Sequence, residues 1–310
     1  MSFEKSEVAV VCVASWNVDL IAHISDPLRR GETKLAYAFE SLPGGKGSNA
    51  AIAASRMGVK VGLIARVGSD DFGQMGLDLW RSEGINSSHV VRAESEANGT
   101  ALILVYADGD NSIAVYPGAG AGLTDSHVEA AQGMLSSAKM VMASCEVPLQ
   151  ATQAAFQLAR KFGVQTLLNP APAIEIPDEL WPLIDILTPN EEELLKLAHH
   201  NDDEKAAEIL LKRGVGAVVV TLGKRGCALY RLHEPVVRVA GNVLTVKDTI
   251  GAGDTFTGAL AANLALNLSW LDALTVANAA AALSTQAHGA VSAMPTRTKV
   301  LTWLRLHQSP

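Results

Sequence analysis

The segment 247-KDTIGAGDTFTGAL-260 sets one acid, Asp254, among three glycines directly before an apolar run that reads as a helix. Glycine lets backbone approach a ligand closely, and the first turn of a helix presents unpaired N–H groups with partial positive charge, so the segment is suited to holding an anion. A carboxylate there has two explanations. It can cap the helix, a role worth about 0.5–2 kcal/mol. Alternatively it takes a proton from an alcohol while the N–H groups of Ala252, Gly253 and Asp254 steady a phosphoryl group, which is the chemistry of phosphoryl transfer to a hydroxyl. A second cluster, 43-PGGKGSNAAIAA-54, repeats the arrangement: Gly44, Gly45 and Gly47 surround Lys46, and Asn49 opens a helix of small residues. Alone, it is either a glycine turn with a surface lysine or a set of polar groups gathered at an open helix start. No GxxxxGK[ST] occurs, so a P-loop is unsupported, and the first βα region lacks the G-x-G-x-x-G of a dinucleotide fold.

These clusters must be held by regular elements, and the chain supplies them in alternation. Short, nearly continuous apolar runs at 8–13, 59–65, 138–143, 164–168, 184–188 and 217–221 predict strands buried on both faces. Between them, helical patterns fall at 48–57, 72–83, 125–135, 150–162, 191–198 and 203–213. Two further strand runs, 227–231 and 236–240, precede helices at 253–266, 270–286 and 297–307. Such alternation argues an α/β fold with a mainly parallel sheet covered by helices. Two segments break the rhythm. Residues 26–42 are polar without helical period, and in 99–116 the runs ALILVY and SIAVY flank ADGDN, whose Asp-Gly suits a hairpin turn. Together they predict a small antiparallel flap outside one α/β domain.

Composition bounds the partners. With 310 residues, 48% of them hydrophobic, and a net charge of −7, the chain has a sizeable core and no basic footprint for nucleic acid or anionic membrane. The start, MSFEKSEVAVVCVAS, holds an apolar run of about eight residues after acids, unlike a signal peptide, and no window reaches the roughly 18 apolar residues of a membrane helix. Cys12, Cys145 and Cys227 lie apart in apolar surroundings and read as buried thiols of a cytoplasmic protein. The eight histidines show no metal-ligand spacing, and His199-His200 reads as a solvated helix end.

The pair 44-GGKGSNAAIAASRMG-58 and 248-DTIGAGDTFTGAL-260 resembles the two signatures of the ribokinase-like, or PfkB, carbohydrate kinase family. The likeness extends to 15-SWNVDL-20, 164-VQTLLNPAPA-173, 188-TPNEEEL-194 and 220-VTLGKRG-226, and within the family GGKGSN and LNPAPA are most similar to the ribokinase branch. The resemblance implies a three-layer α/β/α sandwich with a small β-sheet lid from about 17–42 and 98–117, in a single domain over 1–310. It implies Asp254 as catalytic base, with Ala252 and Gly253 completing the anion hole. Asn17, Asp19, Gly45, Lys46, Asn49 and Glu146 match sugar ligands; strand-end turns and a solvated strand end are the plainer readings of Asn17, Asp19 and Glu146. Asn190, Thr221, Gly223, Gly226, Gly253 and Asn278 match the ATP site, with Lys224 and Arg225 either contacting nucleotide or simply surface charge. Glu193 matches an acid that orders Mg2+ through water, whereas Glu191 and Glu192 read as solvated helix-start charges. Asp248 with Ile250, Ser284, Ala287 and Gly289 match a monovalent-cation site, implying K+ activation; Ala293 stands where a serine is usual.

The implied reaction is transfer of the γ-phosphate of ATP to a sugar's primary hydroxyl, D-ribose to D-ribose 5-phosphate being the best match. The flap would close over the sugar and, as in relatives, join a homodimer, since ALILVY and SIAVY carry apolar surface that an isolated hairpin cannot bury. Rival acceptors are 2-deoxyribose, fructose or another ketohexose, and an adenosine-like nucleoside, and Asp19 favours a vicinal diol. A silent sugar or nucleotide sensor should lack the base or the glycines, and both are present. Trp16, Ala50 and 118-GAG-120 depart from the usual pattern and leave the sugar open.

Overall fold

Along the first strand Val10 and Cys12 face one side of a sheet and Val11 and Val13 the other, and all four are buried in two separate apolar clusters. That is the signature of a sheet covered on both faces. The computed structural model describes residues 8–242 and 244–307, so the expectation that the first residues carry no signal peptide lies largely outside the described chain. In chain order the elements are β1 (Val10–Val13), β2 (Asn17–His23), β3 (Ala38–Gly44), α1 (Lys46–Arg56), β4 (Val61–Gly68), α2 (Asp71–Ser82), β5 (Asn86–Ala93), β6 (Gly99–Val105) and β7 (Asn111–Tyr116). There follow α3 (Asp125–Ala130), α4 (Gln132–Ser137), β8 (Met140–Ser144), α5 (Leu149–Phe162), β9 (Gln165–Asn169), β10 (Ile186–Leu187), α6 (Glu191–Ala198) and α7 (Asp203–Lys212). The chain ends with β11 (Ala217–Thr221), β12 (Gly226–Tyr230), β13 (Val237–Ala240), α8 (Ala252–Ala265), α9 (Trp270–Ser284), α10 (Ala290–Ala293) and α11 (Arg297–His307).

Nine strands form the central sheet in the order β13-β12-β11-β10-β9-β8-β1-β4-β5, antiparallel only at β11-β12-β13. Residues of α1, α2, α8, α9 and α11 bury one face, and residues of α3 to α7 bury the other. The result is the expected α/β/α sandwich. Strand β1 pairs with β4 on one side and β8 on the other, so the chain order reverses direction between β1 and β8. Open α/β sheets bind ligands beyond the carboxyl ends of their strands at such a reversal, because the helices that follow diverge there. Ser15 and Asn17 follow β1, and Glu146 follows β8, at that crevice. No helix among the described residues is long and apolar enough to cross a membrane.

A second sheet has the order β3-β2-β6-β7. It is mixed rather than antiparallel, which corrects the sequence expectation: β2 pairs antiparallel with β3 but parallel with β6. The reason is that β2 leaves the core just after β1, and β6 just after β5, so both run outward from the same edge. Gly109 in the ADGDN turn adopts φ 91°, as the hairpin reading requires. Other differences are local. The helix expected over 125–135 breaks at Ala131 into α3 and α4, β10 is only Ile186–Leu187, and β5 was not expected at all. Strand β5 is the sheet's edge, half exposed and polar, so it carries no apolar run.

Candidate active site

Gly251 precedes α8 in the left-handed region, φ 73°, and a Cβ there would stand 2.6 Å from Ala290 Cβ. This turn swings the chain so that Ala252, Gly253 and Asp254 form the first helical turn; the N–H groups of Gly253 and Asp254 are open, whereas the Ala252 N–H, expected from the sequence to join the anion hole, donates to the Thr249 carbonyl at 3.2 Å. Asp254 does not serve as the cap. The cap position is Gly251, and the partner of the Asp254 carboxylate is Asn49, whose Nδ2 donates to Oδ2 at 2.9 Å. That contact exists because α1 crosses α8 at Gly258, where a Cβ would fall 2.1 Å from the Ala50 carbonyl oxygen. Burial pushes the Asp254 carboxyl up to about 6; Lys46 and the Asn49 bond pull it down, and Glu146 and Glu193 push it further up. A buried carboxylate poised near neutrality beside open N–H groups has the properties of a general base.

The residues that the sequence matches to sugar ligands gather near the same point. Asn17 Nδ2 donates to Asp19 Oδ1 at 2.6 Å, and Gly44 lies so close behind that a Cβ would stand 2.5 Å from Asn17 Nδ2. Burial, then the charge of Glu146, raises the Asp19 carboxyl to about 6 against the Asn17 bond and Lys46. Glu146 Oε2 accepts from the Lys46 backbone N–H and from Ser15 Oγ, each at 2.7 Å, and Gly47 N–H donates to Ser15 Oγ at 3.1 Å. Glu146 is therefore an exposed carboxylate just past β8, as its plainer reading has it, and also the anion at the α1 N-terminus. Gly45, the α1 cap, takes φ 94°, and a side chain there would strike the Ser15 carbonyl at 2.7 Å. Burial lowers the pKa of the Lys46 ammonium, yet Asp254, Glu146, Glu193 and Asp19 together leave it raised, so Lys46 stays charged among four carboxylates.

The residues matched to an ATP site converge as well. Asn190, Thr221, Gly223, Gly226, Gly253 and Asn278 all line one cavity of about 800 Å³. A neighbouring cavity of about 370 Å³ is lined by Lys46, Glu193, Ile250, Gly253 and Asp254, and the two share Asn190, Thr221, Thr249 and Gly253. Asn190 caps α6 and forms a reciprocal pair with Glu193: Glu193 N–H to Asn190 Oδ1 at 2.8 Å, and Asn190 N–H to Glu193 Oε2 at 2.9 Å. Only one Glu193 oxygen is used there, and a carboxylate facing a phosphate-sized cavity suits a hydrated divalent cation. Asn278 Nδ2 donates to the Ala240 carbonyl at 2.8 Å, which leaves its own oxygen as an acceptor in the larger cavity. Arg225 pairs with Glu191, so Glu191 is an ion-pair partner in addition to a helix-start charge, while Lys224 lines the larger cavity.

Asp248 ties the cation-matching residues together. Its Oδ1 accepts from Ile250 N–H and its Oδ2 from Gly289 N–H, each at 2.9 Å, while Lys247 and Asp248 N–H groups donate to the Thr285 carbonyl. Ser284 precedes Thr285 and Ala287 lies two residues after it; the Ser284 hydroxyl donates to the Ala281 carbonyl. Ser292, beside Ala293, donates to the His288 carbonyl at 2.6 Å.

Trp16 needs correction. Its side chain is buried against α2, donating to the Phe72 carbonyl at 2.9 Å and meeting Trp80 edge-on. It therefore does not line the acceptor site. Sequence reasoning also passed over Asn169, Thr188 and Thr249, which line the smaller cavity. Their signal was present, since Asn169 opens NPAPA, Thr188 precedes PNEEE and Thr249 follows Asp248.

Comparison with known proteins gives a family match. The family model for pfkB family carbohydrate kinase matches residues 9–297. A ribokinase of Haemophilus influenzae is 34% identical, with 94% of this chain and 97% of that protein covered. A bifunctional ribokinase/ribose-5-phosphate isomerase A of Fructilactobacillus sanfranciscensis is 36% identical over 94% of this chain, which spans only 55% of that relative's length. Among solved structures, Arabidopsis thaliana ribokinase complexed with ribose and ATP superposes with a TM-score of 0.90 at 31% identity, covering 96% of this chain and 99% of that one. With the family match running almost end to end and the two glycine clusters meeting at Asp254, the chain belongs to the pfkB family of carbohydrate kinases.

Proposed function

We propose that this protein transfers the γ-phosphoryl group of ATP to the primary hydroxyl of D-ribose, giving D-ribose 5-phosphate. The observation that carries the reading is the position of Asp254 and the open N–H groups of α8 between a nucleotide-sized cavity and the cluster Asn17, Asp19, Lys46 and Glu146. ATP occupies the larger cavity, with its base by Asn278 and its phosphates reaching Asn190, Thr221 and Gly253. Ribose hydroxyls bond Asp19, Asn17, Glu146, Lys46 and Asn49. Asp254 accepts the proton of the acceptor hydroxyl, whose oxygen forms the new bond to the γ-phosphorus as the bond to the leaving ADP oxygen breaks. The N–H groups of Gly253 and Asp254 and the Lys46 ammonium stabilise charge on the transferring group.

Glu193 and Asn190 would hold Mg2+ through water, and the ion would neutralise phosphate charge. Asp248 with the carbonyls of Ile250, Ser284, Ala287 and Gly289 would hold K+ beside the anion hole. The second sheet, strands within 17–44 and 99–116 of a single domain, is the lid that excludes water from the acceptor. It carries the apolar surface for a homodimer. The buried, unpaired thiols of Cys12, Cys145 and Cys227 suit a cytoplasmic enzyme.

The names of the relatives favour ribose, and the Asp19 carboxylate, able to accept from two adjacent hydroxyls, disfavours 2-deoxyribose. An ADP-release assay across ribose, 2-deoxyribose, fructose and ribonucleosides tests the assignment. Ribose should give the highest kcat/KM; a higher value for another acceptor would reassign the substrate. ATP binding without turnover on any acceptor would point instead to a sensor.

A further inference from the structure

Arg56 ends α1, and its guanidinium joins three elements. Nε donates to Glu83 Oε2 at 3.0 Å and Nη2 to Glu83 Oε1 at 2.6 Å, a two-point pair at the C-cap of α2. Nη1 donates to the carbonyls of Val291 at 2.7 Å and Met294 at 2.9 Å, at the end of α10. The two charged side chains are only 20% and 17% exposed, and taking charges out of water is tolerated when their hydrogen bonds are made this fully.

The segment gripped in this way walls the phosphate side of the site. Ala290 backs the left-handed turn at Gly251, and Gly289 N–H holds Asp248, whose other oxygen holds Ile250 N–H. The opposite end of α1 carries Asn49 to Asp254. One helix thus contacts the acceptor side at its start and the wall of the anion hole at its end. We propose that Arg56 is a positioning residue for phosphoryl transfer: it clamps residues 289–294 to α1 and so fixes the turn before α8 against the nucleotide phosphates. This rests on the kinase reading given above.

Arg56→Met keeps most of the stem and removes every donor, while Arg56→Lys keeps the charge but cannot reproduce the fork. ATP affinity, measured by calorimetry with Mg2+ on the full chain, is compared with KM for ATP, KM for ribose and the thermal midpoint. The ATP dissociation constant and ATP KM should rise about tenfold in Arg56→Met and less in Arg56→Lys, with the ribose KM changed by less than about twofold. Parental ATP affinity in a folded Arg56→Met, even with a lowered thermal midpoint, would reduce Arg56 to a fold staple and overturn the proposal. An equal rise in the ribose KM would overturn it too. Should Arg56→Met fail to fold, Arg56→Lys carries the same comparison. Because ATP binding is read directly, a parent protein that binds ATP but does not phosphorylate ribose defeats the ribose assignment and leaves this test intact.

Discussion

Asp254 and Asp19 are both raised to about 6, chiefly by burial, and this gives the site a pH signature. A base must be ionised to accept a proton, so turnover should fall as pH drops through about 6. Asp19 gains a proton in the same window, so kcat/KM for ribose should fall more steeply than kcat, with values that belong to the coupled pair. In Lys46→Met the cation that lowers both groups is gone, and the acid limb should move to higher pH; an unmoved limb would show that Lys46 does not face them. Asp254→Asn should cut kcat by about 10²–10⁴-fold with ATP binding retained. The same change should stabilise the fold. A carboxyl near 3.8 in the unfolded chain and about 6 in the native state opposes folding once ionised, by roughly 2–3 kcal/mol at neutral pH. Asp254→Asn therefore gains thermal midpoint at pH 7, and the gain shrinks as pH falls from about 6 towards 4. A midpoint lowered at pH 7 contradicts the burial account. Most of these residues are legible in the sequence, because polar groups bracketed by glycines at helix starts demand a ligand. Their partners are not: Asn49 and Asp254 stand 205 residues apart, and no local pattern pairs them.

At the level of elements, two glycines decide whether the clusters meet. Gly258 lets α8 lie against the Ala50 carbonyl, and Gly251 supplies a left-handed turn with Ala290 behind it. Gly258→Ala must push α1 away by more than an ångström and so separate Asn49 from Asp254. It should lower both the thermal midpoint and kcat. Gly251→Ala combines backbone strain with a clash, costing of the order of 1–3 kcal/mol locally, and should weaken ATP binding more than ribose binding. A crystal structure of either variant with the Asn49–Asp254 bond and the α8 start unmoved would refute this geometry. The buried strands are legible from their apolar runs, as the match at Ala217–Thr221 shows, and Glu191–Ala198 from its acidic first turn. The polar edge strand β5 and the parallel β2-β6 pairing are not, since one lacks apolar periodicity and the other is set by where distant strands leave the core.

For the whole molecule, the second sheet presents Phe39 and Leu102 on one face, at 65 and 55% exposure, and Ile113 and Val115 on the other, at 56 and 67%, and β7 is exposed along its length. An apolar sheet with an open edge needs a partner or invites aggregation. A second copy seated on the open β7 edge and its apolar side chains predicts a dimer by sedimentation, converted to monomer by Ile113→Asp with Val115→Asp. A parent protein that sediments as a monomer rejects the lid interface. The central claim concerns chemistry, and one measurement reaches it most directly: product analysis after incubating the purified chain with ATP, Mg2+ and D-ribose, beside Asp254→Asn. The account predicts stoichiometric ADP and ribose phosphorylated on its primary hydroxyl from the parent, and almost none from the variant. Absence of sugar phosphate from the parent, or equal yield from Asp254→Asn, would contradict it.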